Sequence, residues 1–387
     1  MAGKTVVVLG GGVGGVVAAN RLRRLLGREH RVLLVDRNVW HSFPPSFIWV
    51  MLGWRKPQRI SRDLRSLRRR GIEVFVGEIT AVQLDQRRVM VLENSHQHEL
   101  NYDYLVVSLG ADYTVEGIPG LGTGWTFYTL DGADGLREEL AKFQGGRVVI
   151  LIGGVPYKCP AAPYEGALLL DYYFRRRGLR RQAEIQIFTP EPYPLPVAGQ
   201  NVGEQVIELL ARREVNFSPR SQVTAVDQGR KVVTFQDGAE ARYDLLIVVP
   251  AHKVPQVVRE AGLVQQGGWV SVDRATLATP FDAVYALGDM TAIPLANGMM
   301  LPKAGVFAHE EAEVVARNIA AEMRGDSPRW AFGGQGACFL ETGFNRAAYA
   351  YGQFYAEPAP KVKMRPPGRI WHWAKAGLEW RWLRRWF

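Results

Sequence analysis

The 387 residues predict an α/β protein, two similar parallel-sheet modules in tandem followed by a region of different texture. Three observations carry that prediction. A strand running into a glycine turn occurs twice, at 5–9 before Gly10, Gly12 and Gly15, and at 148–152 before Gly153 and Gly154. The run Tyr102-Asp103-Tyr104-Leu105-Val106-Val107 is echoed by Tyr243-Asp244-Leu245-Leu246-Ile247-Val248. Each echo follows a stretch, 88–92 or 231–235, whose alternating apolar residues suit antiparallel strands. A duplicated βαβ plan with parallel central sheets follows.

The first copy is intact. Gly10, Gly12 and Gly15 stand at GxGxxG spacing, a helix is expected over 16–26, and the strand 31–35 ends at Asp36. Bare backbone at the turn lets a pyrophosphate approach, and the helix N-terminus offers it unpaired N–H groups. The acid some 20 residues on accepts from an adenosine ribose hydroxyl. These are the parts of a Rossmann-like dinucleotide-binding domain. The second copy departs after Gly154 into Val155-Pro156-Tyr157-Lys158-Cys159-Pro160. Proline and tyrosine now occupy turn positions that must be bare for close approach. A nicotinamide dinucleotide is not expected there, and a thiol stands near the site instead.

Composition narrows the class. Hydrophobic residues make up 47% and charged residues 22%, as in soluble globular proteins. No apolar run reaches the roughly 18 residues of a membrane-spanning helix. The chain opens on a strand, without the pattern of a secretory signal, so a cytoplasmic origin is expected. Cys159 and Cys338 are the two cysteines, and such a pair in a cytosolic chain is more often redox-active or inert than a staple. Isolated cysteines without clustered histidines make no zinc site. The net charge of +10 rests on arginines clustered at 55–70 and 175–181, a balance that favours an anionic membrane face or small anions. A merely solvated basic surface is the competing reading; no nucleic-acid partner is expected.

At the far end, Trp371, Trp373, Trp380, Trp382 and Trp386 alternate with Lys375, Arg381, Arg384 and Arg385. On a helix, Trp371, Leu378, Trp382 and Trp386 form one stripe, and Trp373, Ala376, Trp380, Leu383 and Phe387 form a second, roughly opposite. Two apolar faces imply that one packs on the body and the other meets something apolar. Tryptophan with arginine is the composition of a membrane interface. The expectation is peripheral attachment to an anionic membrane; a domain-closing helix or a homo-oligomer contact is the alternative. His309 reads as a surface histidine on a helix.

Two further segments bear on the dinucleotide. The stretch from Tyr102 to Gly110, with Ile118-Pro119-Gly120, resembles the second conserved stretch of flavoproteins with two dinucleotide domains. Val284-Tyr285-Ala286-Leu287-Gly288-Asp289 resembles their third, in which the aspartate reaches the ribityl chain and pyrophosphate. The resemblance implies FAD, held by Gly10, Gly12, Gly15, Asp36, Gly110, Asp289 and Lys303. It implies an FAD domain from 1–112 and 251–330, a degenerate second domain at 113–250 carrying Cys159, and a membrane-contact region at 331–387 carrying Cys338. Only His41 follows Asp36 closely, so the flavin is expected to be held non-covalently.

The segments Tyr157-Lys158-Cys159-Pro160-Ala161-Ala162-Pro163-Tyr164-Glu165, Leu301-Pro302-Lys303-Ala304-Gly305 and Gly336-Ala337-Cys338-Phe339-Leu340-Glu341 extend the likeness. With Phe43-Pro44-Pro45-Ser46 and the stretch 49–57, they resemble the sulfide:quinone oxidoreductase and flavocytochrome c sulfide dehydrogenase family. That resemblance implies a cycle in which hydrosulfide attacks a Cys159–Cys338 bridge and two electrons pass through the flavin to quinone, leaving sulfur for an acceptor. Lys158 and Lys303 would supply positive charge, Glu165 would move protons, and Phe339 would line the quinone pocket. The stretch 125–132 lacks the third cysteine and nearby histidine of many members, and no histidine follows Glu191-Pro192-Tyr193. A two-cysteine cycle is therefore expected. The alternatives are a type II NADH:quinone dehydrogenase, a sulfide dehydrogenase serving a cytochrome c, and a flavin-bearing redox sensor.

Overall fold

The computed structural model describes residues 3–265, 267–327 and 329–387. Its first sheet has five parallel strands, in the order Val284–Ala286, Tyr104–Val107, Thr5–Leu9, Arg31–Asp36 and Glu73–Val76. Strands covered on both faces read as continuous apolar runs, as Val6-Val7-Val8-Leu9 does. Helices Val13–Leu25 and Gly305–Glu322 cover one face. The antiparallel strands Glu78–Gln83, Arg88–Glu93 and His96–Asn101 lie on the side of the other. The second sheet repeats the plan with Val215–Ser218, Ala183–Phe188, Gly146–Ile152 and Leu245–Val249, all parallel. Helix Ala162–Arg176 packs on it, and Val223–Asp227, Val232–Phe235 and Glu240–Arg242 form the second antiparallel layer.

The chain passes between the two units through a short antiparallel pair, Asp112–Thr114 with Ala251–Lys253. After the helix Gly305–Glu322 comes a three-stranded antiparallel sheet, Gln335–Gly343, Arg346–Gln353 and Lys361–Gly368. Its Leu340 and Ala348 share a core with Ile150 of the second sheet, which carries Cys338 toward the helix Ala162–Arg176. The final helix, Arg369–Arg385, folds back over this sheet.

That helix corrects the expected stripes. Its buried arc is Lys375, Glu379, Trp382, Leu383 and Trp386, while Ile370, Trp373, Leu378 and Trp380 are exposed and Trp371 is half-buried. Hydropathy alone misplaced the boundary because charged residues on the inner face have buried partners. Glu379 takes Arg55 at 2.8 Å and the Ser46 hydroxyl, and Lys375 takes Glu165. The arginines expected to face polyanions are likewise partly internal. Arg62 donates to the Leu383 carbonyl at 3.2 Å, and Arg70 donates to Arg385 at 2.8 Å and to Phe387. Free carbonyls at a helix C-terminus attract such cations. In the second cluster Arg175 and Arg180 close on fully buried Asp171 at 2.9 and 2.7 Å. His309 is also less exposed than expected, lying against Trp382 and Trp386. No helix among the described residues is long and apolar enough to cross a membrane.

Candidate active site

In the first glycine turn Gly10 has φ +98°, and a Cβ on Gly15 would lie 1.8 Å from the Gly10 carbonyl oxygen. The turn therefore closes tightly on itself. Gly12 caps the helix with no side chain over its N–H groups, and a Cβ there or on Gly110 would meet nothing within 4 Å. Asp36 Oδ2 accepts the Gly11 amide at 2.6 Å and Oδ1 accepts Asn38 at 2.7 Å, which holds the carboxylate at the rim of this open cradle. A bare helix N-terminus beside a fixed acid fits the pyrophosphate and ribose of a dinucleotide.

His41 braces the same turn. Its Nδ1 donates to the Gly11 carbonyl at 2.8 Å, and its Nε2 accepts the Trp382 indole N–H at 3.0 Å. Burial lowers its pKa to about 4 against that backbone hydrogen bond, so the ring is neutral. The Gly288-Asp289 turn is held from two sides. Glu311, pushed up to about 7 by burial, accepts the Gly288 amide at 2.7 Å. Lys303 Nζ donates to the Asp289 and Thr291 carbonyls at 2.7 and 3.1 Å, and burial brings it down to about 8. Burial raises the Asp289 carboxyl, opposed by Lys158 and Lys303.

The second turn is built differently. Three residues separate strand from helix in the first copy, Gly10 to Gly12, but nine do so in the second, Gly153 to Ala161. The added loop buries Tyr157, whose hydroxyl donates to Glu191 at 2.6 Å. Glu191 follows the second strand as Asp36 does in the first copy. The longer second turn is thus closed by one of its own side chains, where the first copy carries bare glycines. The same loop sets Cys159 at φ +48°, in the left-handed region that residues with a Cβ seldom adopt. Its amide donates to the Lys303 carbonyl at 2.7 Å, tying it to the lysine that holds Asp289.

Cys159 and Cys338 stand beside each other, close enough to perturb one another's titration, and the Cys338 thiol donates to the Phe339 carbonyl at 3.4 Å. Their mutual contact pushes the Cys338 pKa down and that of Cys159 up. Burial opposes a thiolate, and Lys375 favours one at both sulfurs. Glu165, in the first turn of its helix, is raised by burial and by Glu341, with Lys375 acting against. Burial pushes Lys375 down, but Glu165 and Glu341 outweigh it and keep its ammonium above the usual lysine range. His372 Nδ1 lies 2.9 Å from Glu341 Oε2.

Phe339 lies on the other face of its strand. Its ring meets Tyr349 at 5.2 Å, and Tyr349 stacks on Trp371 at 4.6 Å with 14° between planes. These rings are all half-buried. The sites read from sequence thus gather in two places: Gly10, Gly12, Gly15, Asp36 and Gly110 at the cradle, and Cys159, Cys338 and Glu165 at the sulfur pair, with Lys303 and Asp289 linked to the latter through the Cys159 loop. Lys375, Glu341 and His372 were not anticipated. On the last helix the spacing of His372, Lys375 and Glu379 was masked by the tryptophans around them, and Glu341 lies on the strand Gln335–Gly343. Tyr349 was foreshadowed only by its alternation with Tyr351. Among the described residues there is no cluster of three or more His, Cys, Asp or Glu that could hold a metal.

The family model described as "Pyridine nucleotide-disulphide oxidoreductase" matches residues 4–312. The chain is 27% identical to the sulfide-quinone reductase of Aquifex aeolicus, over 96% of this chain and 87% of that protein. It is 25% identical to the mitochondrial sulfide:quinone oxidoreductase of Mus musculus, over 91% and 79%. The solved sulfide:quinone oxidoreductase of Aquifex aeolicus superposes with a TM-score of 0.88, covering 99% of this chain and 91% of that one at 27% identity. The type II NADH:quinone oxidoreductase of Haemophilus influenzae is 25% identical over 82% and 80%.

Proposed function

The chain belongs to the pyridine nucleotide-disulphide oxidoreductase family, and from that premise we propose that it oxidises hydrosulfide through Cys159, Cys338 and FAD, with quinone as electron acceptor. The observation that carries this reading is the paired thiols on a loop that has displaced the second nucleotide turn. Residues 1–112 and 251–330 hold FAD non-covalently, with Gly10, Gly12, Gly15, Asp36, Gly110, Asp289 and Lys303 around it; both nitrogens of His41 are already engaged. Residues 113–250 present Cys159, and 331–387 present Cys338 and the membrane contact.

In the oxidised protein the two sulfurs are bridged. Hydrosulfide attacks one of them, the bridge breaks, one sulfur gains an S–S bond and the other leaves as a thiolate. Lys375 favours that thiolate at Cys338. FAD, when bound, supplies the two-electron acceptor for this pair and passes the electrons to quinone. Glu165 takes or returns the proton of the attacking sulfur. The sulfane sulfur then goes to a nucleophilic acceptor.

Phe339, Tyr349 and Trp371 offer a flat aromatic surface for a quinone ring. The exposed Ile370, Trp373, Leu378 and Trp380, flanked by exposed Arg381 and Arg384, suit an anionic lipid surface beside it. Oxidation of NADH is disfavoured because Tyr157 and its bond to Glu191 occupy the place of a dinucleotide. The test is anaerobic titration of the FAD-loaded chain. Sulfide should bleach the flavin absorbance and quinone should restore it, with NADH leaving it unchanged. Bleaching by NADH and not by sulfide would reverse the assignment.

A further inference from the structure

The inner face of the final helix carries ionisable side chains that the sulfur chemistry above leaves without a task. Lys375 forms a buried ion pair with Glu165. Glu165 Oε1 also accepts the Glu341 amide at 3.2 Å, and Glu341, 1% exposed, holds His372 at 2.9 Å. The His372 side chain is 15% exposed, and its ring borders buried Trp49 and exposed Trp373 at 6.1 and 5.4 Å. Two pairs of proton-carrying side chains, Lys375–Glu165 and Glu341–His372, joined by the Glu341 amide, thus stand between the thiols and the edge of the exposed tryptophan face.

The overall reaction has a proton imbalance between its two ends. Hydrosulfide, quinone and one proton give sulfane sulfur and quinol; hydrosulfide brings one proton, and the quinol carries two. One proton must leave the sulfur side and two must reach the quinone side. We propose that Glu165, Lys375, Glu341 and His372 form a proton relay from the thiol pair to the quinone side, with His372 as its outer terminus. The inference rests on the reading of the site as sulfide-oxidising and quinone-reducing.

The charge balance of the cluster supports it. Two buried carboxylates share one ammonium, so a neutral His372 would leave an uncompensated negative charge in a low-dielectric interior. That arrangement is relieved by a proton on a carboxyl or on His372. Thiolate formation at Cys338 adds a third negative group beside Lys375 and draws a proton onto Glu165. Return of the thiols to a bridge releases it again. The charged and titratable neighbours are few: Cys159 and Cys338 at the inner end, and the Arg55–Glu379 pair one turn further along the helix. Trp49 lies against Lys375, Arg55 and His372 and forms an apolar wall along the cluster.

The experiment separates the two half-reactions in the FAD-loaded full chain, using His372→Phe and His372→Gln. Sulfide should bleach the flavin within about twofold of the wild-type rate, since the inner groups remain. Reoxidation by a short-chain quinone should slow by roughly tenfold or more, as loss of a positioned proton carrier predicts. Added imidazole should restore it. Independently of turnover, the ¹⁵N resonances of His372 should move when sulfide reduces the protein, and Lys375→Met should abolish that movement. Normal reoxidation in both variants, or a defect that imidazole leaves untouched, overturns the relay. A wild-type flavin that sulfide does not bleach overturns the parent assignment, and the relay with it.

Discussion

Replacing Lys375 by Met keeps most of the side-chain volume and removes the one ammonium that faces Glu165 and Glu341. Both carboxylates are almost wholly buried, with side-chain exposures of 6% for Glu165 and 1% for Glu341. Breaking a buried ion pair by deleting one partner costs about 3–5 kcal/mol, because the remaining charge is stranded. Glu165 has an escape, since it can take up a proton at about 1.4 kcal/mol per unit between its pKa and the ambient pH. Its pKa in the folded protein is already raised, and the variant raises it further. The sign follows from linkage. Below the unfolded carboxyl pKa of roughly 4.3 both states are protonated and the variant loses little. As pH rises the unfolded chain ionises first in both proteins, and the deficit opens once Glu165 ionises in the wild-type fold and stops growing above the higher folded pKa of the variant. Urea unfolding of the FAD-loaded protein should therefore show a deficit of about 3 kcal/mol at pH 8 and clearly less at pH 5. The double variant Lys375→Met/Glu165→Gln should recover most of it. Equal deficits at both pH values, or no recovery in the double variant, would refute the assignment of the pair as a stabilising buried charge couple.

Serine at Cys159 or at Cys338 should abolish bleaching by sulfide while flavin absorbance stays with the protein on gel filtration; a fully active single variant removes the proposed cycle. The triple variant Ile370→Ser, Trp373→Ser, Trp380→Ser should weaken co-sedimentation with anionic vesicles by at least on the order of a hundredfold, given the apolar area those side chains can bury. These positions are exposed, so melting should be unchanged, and unaltered sedimentation would refute the docking face. Removing the whole helix would not answer the question, because its other face is core. His41, neutral in the fold with a pKa of about 4, should make stability fall by about 1.4 kcal/mol per pH unit from roughly pH 6.5 down to that pKa, since the unfolded chain binds the proton first. His41→Gln should flatten that slope, and an unchanged slope would assign it to other groups.

The duplicated fold was legible because its signals are local. A glycine turn after an apolar strand and a Tyr-Asp pair before the next one each report a few adjacent residues, and both sheets follow from them. The open turn at Gly10 to Gly12 was legible for the same reason. The sulfur pair was less so: Cys159 and Cys338 come together only because Leu340 and Ala348 join the core under Ile150, a long-range packing fact. Lys375 was hidden in a segment whose tryptophans dominated its periodicity. Hydropathy assumes that charge faces water, and here the inner face carries a lysine and a glutamate because each has a buried or half-buried counter-charge. The arginine runs misled in the mirror-image way, since several of them cap carbonyls and a buried aspartate.

The two copies of the module also explain each other. In the first, the acid after the second strand takes a backbone amide, Gly11 to Asp36, and leaves the surface of the turn free. In the second, the equivalent acid takes a side-chain hydroxyl from the turn itself, Tyr157 to Glu191. Lengthening the connection from three residues to nine makes that contact possible, moves the helix N-terminus away from the glycines, and carries Cys159 to the Lys303 carbonyl. On the proposed function, giving up a dinucleotide at the second turn and gaining a positioned sulfur are one structural change. Restoring the short turn would remove the thiol together with the plug. A variant made to accept NADH by shortening this loop is accordingly expected to lose its response to sulfide in the same step.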